Sequence, residues 1–234
     1  MIPPAGPSAA EAIAEHDPAP VTRRRNRAIP LVASALAAAL VALLTYGLLA
    51  RSPDTTIDDG LAQGRPVRPP SFQLEAFAAG RPGPRLAPAW SRAAADGRVG
   101  LDELRGTPLA VNFWASWCGP CRSEAPRLQR AWRRYRGSGV LFLGLDEQDN
   151  APDVRRFLSR SAIDYPTLKE AGDGTFRAWG LTGYPETFFV DRRGRVVSHV
   201  IGVVSEAALA SGVRAALSGR PAGSRRGGAL GGRR

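Results

Sequence analysis

Leu109-Ala-Val-Asn-Phe-Trp-Ala-Ser-Trp-Cys-Gly-Pro-Cys-Arg-Ser-Glu-Ala-Pro126 is the stretch on which the reading of this chain turns. Its first six residues form a continuous, mostly apolar run, the pattern of a strand buried on both faces. A helix is expected to follow over 119–136, with Pro120 tolerated in a first turn whose N–H groups have no intrahelical partner. Cys118 then stands at the helix N-terminus. There the macrodipole and free N–H groups favour an anion, so its thiol pKa should fall and make it an attacking nucleophile. Cys121, one turn further on, points inward and is placed to resolve a mixed disulfide formed by Cys118.

The rest of the soluble part extends this β-α start. Val140–Leu145 is a second buried strand, and Pro152 opens another helix running to about Ala162. Thr187–Val190 and Val196–Ile201 are strands joined across Asp191-Arg-Arg-Gly194, a hairpin signal, and Ser205 can cap a last helix to about Leu217. Helices between the early strands imply parallel pairing, and the hairpin adds an antiparallel edge. The fold class is therefore α/β, a mixed central sheet flanked by helices. Residues 79–98, rich in proline and small residues, read as a loop-rich insertion. The Gly/Arg-rich tail 219–234 is expected to stay disordered.

Composition narrows the function. The chain has 234 residues, room for one globular domain with extras, and its two cysteines cannot build a multi-bridge scaffold. Two histidines leave little for a metal site, and no metal or separate cofactor is expected. The net charge of +11 suggests nucleic acid until it is divided along the chain. The tail 219–234 alone carries +5, residues 1–27 carry +1, and residues 28–50 carry none. Within the body, Arg122, Arg127, Arg130, Arg133, Arg134 and Arg136 form the polar face of one helix, usually a solvated face.

Ala28–Ala50 offers 23 uncharged residues rich in Ala, Leu and Val, enough helix to cross a hydrocarbon core of about 30 Å. Arg23-Arg24-Arg25-Asn26-Arg27 precedes it, and acids soon follow it. The positive-inside bias thus expects a cytoplasmic basic tail over 1–27, one transmembrane helix over 28–50, a linker over 51–66 and an extracytoplasmic domain over 67–218. A cleaved signal peptide would have a shorter apolar region with a small-x-small site behind it.

A structural disulfide, a zinc half-site and idle thiols compete with the redox reading of Cys118 and Cys121. A four-residue ring constrains the unfolded chain weakly, and neither His199 nor His16 supplies the missing zinc ligands. Along the helix, Cys121, Glu124, Ala125, Leu128, Ala131, Trp132 and Tyr135 recur at three- and four-residue spacing, marking a buried stripe. Glu124 lies on the Cys121 side. There a carboxyl tends to have a raised pKa and can exchange a proton with the buried thiol, or else pairs with an arginine. Asn112, under the pair, is placed to anchor the same pocket.

The stretches Val111–Pro126 and Gly180-Leu-Thr-Gly-Tyr-Pro-Glu-Thr-Phe-Phe-Val-Asp191 resemble the thioredoxin superfamily, in particular the membrane-anchored TlpA/ResA/CcmG-like thiol–disulfide oxidoreductases of bacteria. The resemblance covers roughly residues 67–218. It implies a thioredoxin-like fold and a cis Pro185 packed against the cysteine pair, with the backbone of Tyr184 free to pair with a substrate strand. It also implies Glu124 as the functional acid, with Trp117, Tyr184, Pro185 and Glu186 facing substrate. The activity it implies is reduction of disulfides in partner proteins, apocytochrome c among them, with electrons drawn from a membrane thiol reductase. A disulfide-forming or isomerising enzyme, and a non-catalytic docking module at the membrane, remain the rival readings.

Overall fold

A computed structural model describes residues 28–50 and 54–227; the basic tail 1–27, residues 51–53 and the last seven residues lie outside it. The described residues fall into two units. The first is helix α1 (Ala28–Ala50). Its side chains are described from Leu31 to Gly47, and the large apolar ones among them are exposed. Among the described residues no helix is long and apolar enough to cross a membrane.

The second unit begins with α2 (Thr56–Ala62), β1 (Gln73–Ala78), α3 (Ala87–Ala93) and β2 (Arg98–Gly100). The fold-deciding stretch follows as β3 (Leu109–Trp114) and α4 (Gly119–Tyr135). Then come β4 (Leu141–Glu147), α5 (Ala151–Arg160), β5 (Thr167–Glu170) and α6 (Gly174–Ala178). The chain closes with β6 (Glu186–Val190), β7 (Val196–Ile201), α7 (Glu206–Ser218) and β8 (Gly223–Arg226). All eight strands form one mixed sheet in the order β2-β1-β5-β4-β3-β6-β7-β8. The thioredoxin-like α/β architecture expected from the sequence is present.

At the centre, β3 pairs parallel with β4 and antiparallel with β6. Every residue of β3 and β4 is buried, as their unbroken apolar runs require. Register places the site. Phe113 near the end of β3 opposes Glu186 at the start of β6, so the loop leaving β3 and the loop entering β6 emerge side by side. α4 and α7 pack on each other, and α7 lies across β6 and β7. Ser205 caps α7, its side chain accepting from the N–H of Ala208 at 3.1 Å.

Three segments differ from the sequence reading. The linker expected over 51–66 contains α2, whose Ile57 and Leu61, one turn apart, are buried in the main core, so the domain starts before residue 67. The insertion over 79–98 holds α3, with Trp90 and Ala93 buried, and it connects the two strands of an antiparallel pair, β1 and β2. The tail expected to be disordered over 219–234 contributes β8, parallel to β7. Gly223-Ser-Arg-Arg226 has no apolar residue to signal a strand. Its order comes from backbone pairing with β7 and from Ser224, whose hydroxyl donates to Asp58.

Candidate active site

The cysteine pair lies where β3 gives way to α4. Cys118 is the N-cap of α4, with extended backbone, and its Sγ accepts from the N–H of Cys121 at 3.1 Å. The sulfur thus holds the position an oxygen takes in an ordinary N-cap, so the helix end would solvate a thiolate there. In this structure Cys118 and Cys121 are joined as a disulfide. Both are buried, packed with Trp114, Ala115, Ala125, Val154 and Phe157, and the rings of Trp114 and Phe157 stack at 4.2 Å between centroids. The loop before them is tied down from the side: Ser116 donates to Asp149 through both its N–H and its hydroxyl.

Glu124 is 1% exposed and sits on the buried face of α4 with Cys121, as its spacing suggested. One carboxyl oxygen accepts from Asn112 Nδ2 at 3.0 Å, the other from the N–H of Val204 at 2.8 Å. Asn112 also donates to Thr187 Oγ1 at 3.0 Å, so the group spans β3, β6, α4 and the entry to α7. Burial raises the Glu124 pKa to about 7, against the opposing pull of those two hydrogen bonds and of the Arg127 charge. No ion pair forms at Glu124 among the described residues. A carboxyl so placed changes protonation near neutrality, as a proton partner for a thiol must.

The Tyr184–Pro185 peptide bond is cis. Among the described residues neither the N–H nor the C=O of Tyr184 makes a backbone hydrogen bond. Trp117 is 57% exposed, and its ring meets that of Tyr184 edge-on at 5.7 Å. The Tyr184 hydroxyl donates to Glu147 Oε2 at 3.0 Å. Burial first, then the Glu170 charge, raises the Glu147 pKa to about 8. Asp146, raised to about 8 by burial and by Asp149, lies beside it, both its oxygens buried without a hydrogen-bond partner among the described residues.

Glu186 departs from expectation. It was read as facing substrate, yet it is 1% exposed and turned inward. One oxygen accepts from Thr182 N–H and Oγ1 and from Gly183 N–H at 2.8 to 3.2 Å, closing the loop before Pro185. The other lies 2.8 Å from His199 Nε2, while His199 Nδ1 lies 2.8 Å from Asp58 Oδ1. Each ring nitrogen thus faces a carboxyl oxygen, an arrangement that favours the doubly protonated ring. Burial works against that charge, but the bonds to Asp58 and Glu186 outweigh it and raise the His199 pKa. Burial likewise works against ionised Asp58, but His199 and Ser224 hold its pKa below the usual range.

Alternation along β6 puts this Asp58–His199–Glu186 chain on one face of the sheet and the Glu124–Asn112–Thr187 group on the other, joined at the bond between Glu186 and Thr187. No sequence spacing signals this chain: Asp58 and His199 are 141 residues apart. Among the described residues no group of three or more His, Cys, Asp or Glu side chains is arranged to hold a metal ion.

The AhpC/TSA family matches residues 84–199. Thiol-disulfide oxidoreductase ResA of Bacillus thuringiensis (strain Al Hakam) is 29% identical over 105 residues, 45% of this chain and 61% of that protein. Thiol:disulfide interchange protein HelX of Rhodobacter capsulatus is 34% identical over 119 residues, 50% of this chain and 65% of that protein. The chain therefore spans somewhat less than two thirds of the length of the curated relatives it matches. A crystal structure of a thiol:disulfide interchange protein of the thioredoxin family from Chlorobium tepidum TLS superposes with a TM-score of 0.51 at 28% identity, covering 65% of this chain and 97% of that one. Residues 84–199, and with them the cysteine pair and the cis-proline loop, match the AhpC/TSA family and are similar to thioredoxin-family thiol:disulfide interchange proteins.

Proposed function

We propose that the chain is an extracytoplasmic, membrane-tethered thiol–disulfide oxidoreductase that works chiefly as a reductant. The observation that carries this reading is Cys118 at the cap of α4, bonded to Cys121 and flanked by buried Glu124. In the reduced protein, Cys118 thiolate attacks one sulfur of a substrate disulfide. A mixed disulfide forms, and the departing substrate thiolate takes a proton from water. Glu124, as carboxylate, then takes the Cys121 proton, and the Cys121 thiolate attacks Cys118 Sγ. The second substrate sulfur leaves and is protonated. The substrate has gained two electrons and two protons, and the Cys118–Cys121 disulfide is restored. The unpaired backbone of Tyr184 is available to align an extended substrate segment, with Trp117 and Pro185 beside it.

Direction and place rest on sequence. A Cys-Gly-Pro-Cys pair matches that of thioredoxin, whose potential is about −270 mV, which favours reduction. The tether is Ala28–Ala50, a 23-residue helix with exposed apolar side chains. The sequence supports it: residues 28–50 carry no charge and are rich in Ala, Leu and Val, and the positive-inside bias puts Arg23–Arg27 on the cytoplasmic side. Electrons for re-reduction then come from a membrane thiol reductase, and apocytochrome c, whose haem-site thiols must be kept reduced, is the substrate we favour. The names of the ResA and HelX relatives support the chemistry.

Replacing the resolving sulfur tests the reading. Cys121→Ser should accumulate mixed disulfides through Cys118 that run as larger species on non-reducing gels and vanish with dithiothreitol. No such species would leave a non-catalytic docking role. A midpoint potential well above about −200 mV would favour disulfide formation or isomerisation instead. Deletion followed by a haem stain tests the cytochrome step separately: normal c-type cytochromes would remove that substrate.

A further inference from the structure

A groove of about 530 Å³ opens beside the cysteine pair, between Ser116–Trp117 and α5, with Phe157 among the residues lining it. Arg122, Arg156 and Arg160 border it, and Asp153 is the one carboxylate among its lining residues. Arg122 donates one terminal guanidinium N–H to the carbonyl of Ser116 at 2.8 Å, which holds its head beside the groove. Arg156 pairs with Asp153 one turn before it on the exposed face of α5. Arg160 makes no ion pair among the described residues. The groove thus carries a surplus of guanidinium at its edge, directly next to the residue preceding Cys118.

The spacing of these cations is informative. Arg156 and Arg160 stand four apart on α5, which places their Cβ atoms about 6 Å apart on one face of the helix. Alternate side chains of an extended polypeptide, at roughly 3.3 Å per residue, recur at nearly the same interval. Guanidinium binds carboxylate through paired N–H donors, and the apolar wall supplied by Trp117 and Phe157 lowers the local dielectric around such pairs. The groove's lining includes Trp117, the residue before Cys118, so a polypeptide engaged at Cys118 lies within reach of these arginines.

We propose that the groove holds an acidic flank of the polypeptide substrate, with carboxylates at alternate positions beside the disulfide, while that disulfide is engaged at Cys118. The inference rests on the oxidoreductase activity proposed above and narrows its substrate class. The arginines contribute specificity and take no part in electron transfer.

The test compares two disulfide peptides identical except for a Glu-x-Glu or a Lys-x-Lys flank, reduced by the fully reduced protein. The expected ratio of second-order rate constants favours the acidic peptide about tenfold at low ionic strength, a few-fold for each exposed pair. It should shrink toward unity from about 0.02 M to about 0.3 M salt, as the Debye length falls from roughly 20 Å to roughly 6 Å. Arg160→Glu should reduce the preference or reverse it. A wild-type ratio within about twofold of unity at low salt, or a preference that Arg160→Glu leaves intact, overturns the proposal. Should that variant fail to fold, the salt dependence of the wild-type ratio decides alone. Reduction of uncharged 2-hydroxyethyl disulfide by the wild type separates the two readings: no turnover removes the oxidoreductase activity itself, while turnover with a flat flank ratio removes only the groove's role. Binding to phosphatidylglycerol vesicles that is lost in Arg160→Glu, with no flank preference, would give the arginines to lipid and also overturn it.

Discussion

Glu124→Gln isolates the one carboxyl whose titration the proposed chemistry uses. In the folded protein Glu124 holds its proton up to about pH 7, against 4.5 for an unburied glutamate. The folded state therefore binds more proton than the unfolded chain across that interval, and unfolding free energy must fall as pH rises. Stability contributed by the neutral carboxyl is complete below pH 4.5 and is lost as pH climbs through 7. At 1.36 kcal/mol per decade the loss comes to about 3 kcal/mol. A glutamine cannot titrate. Both partners of the carboxyl, Asn112 Nδ2 and Val204 N–H, are donors, so the glutamine amide leaves one of them facing an N–H, at roughly 1–3 kcal/mol.

Wild type should thus be the more stable protein at pH 4.5, and its advantage should shrink by about 3 kcal/mol, vanishing or reversing, by pH 8. Urea denaturation of both oxidised proteins across that range measures it. Asp146 and Glu147, also raised, tilt both curves alike and cancel in the difference. A stability gap that stays flat with pH would refute the reasoning, because Glu124 would then carry the same charge throughout. The resolution step of a trapped mixed disulfide should lose its inflection near pH 7 in the same variant.

Two further substitutions probe the frame around the pair. His199→Gln removes a buried cation between two carboxylates and should lower unfolding free energy by about 3 kcal/mol at pH 6. Because the folded His199 pKa is raised, the wild-type advantage is fully present below about 6.5 and declines as pH rises through the folded value; a gap independent of pH would show that the ring is neutral. Gly212→Ala on α7 would press a methyl into the Phe189 ring beneath it and should destabilise by about 1–3 kcal/mol in urea melts with little effect on disulfide reduction; an unchanged melt would mean that α7 can shift away from β6.

What the sequence revealed and what it hid divide along physical lines. β3 and β4 announce themselves because burial on both faces demands apolar side chains throughout, and α4 because a long helix needs a three-to-four residue stripe. α2 was hidden because only Ile57 and Leu61 carry its burial, inside a run otherwise suited to a linker. β5, only Thr167–Glu170, is too short to show a period. β8 takes its place through backbone bonds to β7, which no side-chain pattern records. The thiol pair and Glu124 were legible because their spacing is local and helical. The Asp58–His199–Glu186 chain joins three separate elements across the sheet, so no spacing could signal it.

Glu124 and Glu186 show why residue type and burial alone did not suffice. Both are glutamates close to the cysteine pair along the fold, and both are 1% exposed. Glu124 meets an amide and a backbone N–H, neutral donors that do not compensate fully for its lost hydration, so it keeps a proton that chemistry can use. Glu186 meets the His199 ring and three donors from Thr182 and Gly183, partners that tie its carboxyl group to the loop in front of Pro185. Reading Glu186 as substrate-facing assigned it the wrong side of the strand: the alternation that turns Thr187 toward Asn112 and Glu124 turns Glu186 toward His199. In the proposed chemistry one glutamate moves a proton, while the other ties down the segment before Pro185. The two tasks are compatible because they lie on opposite faces of β6.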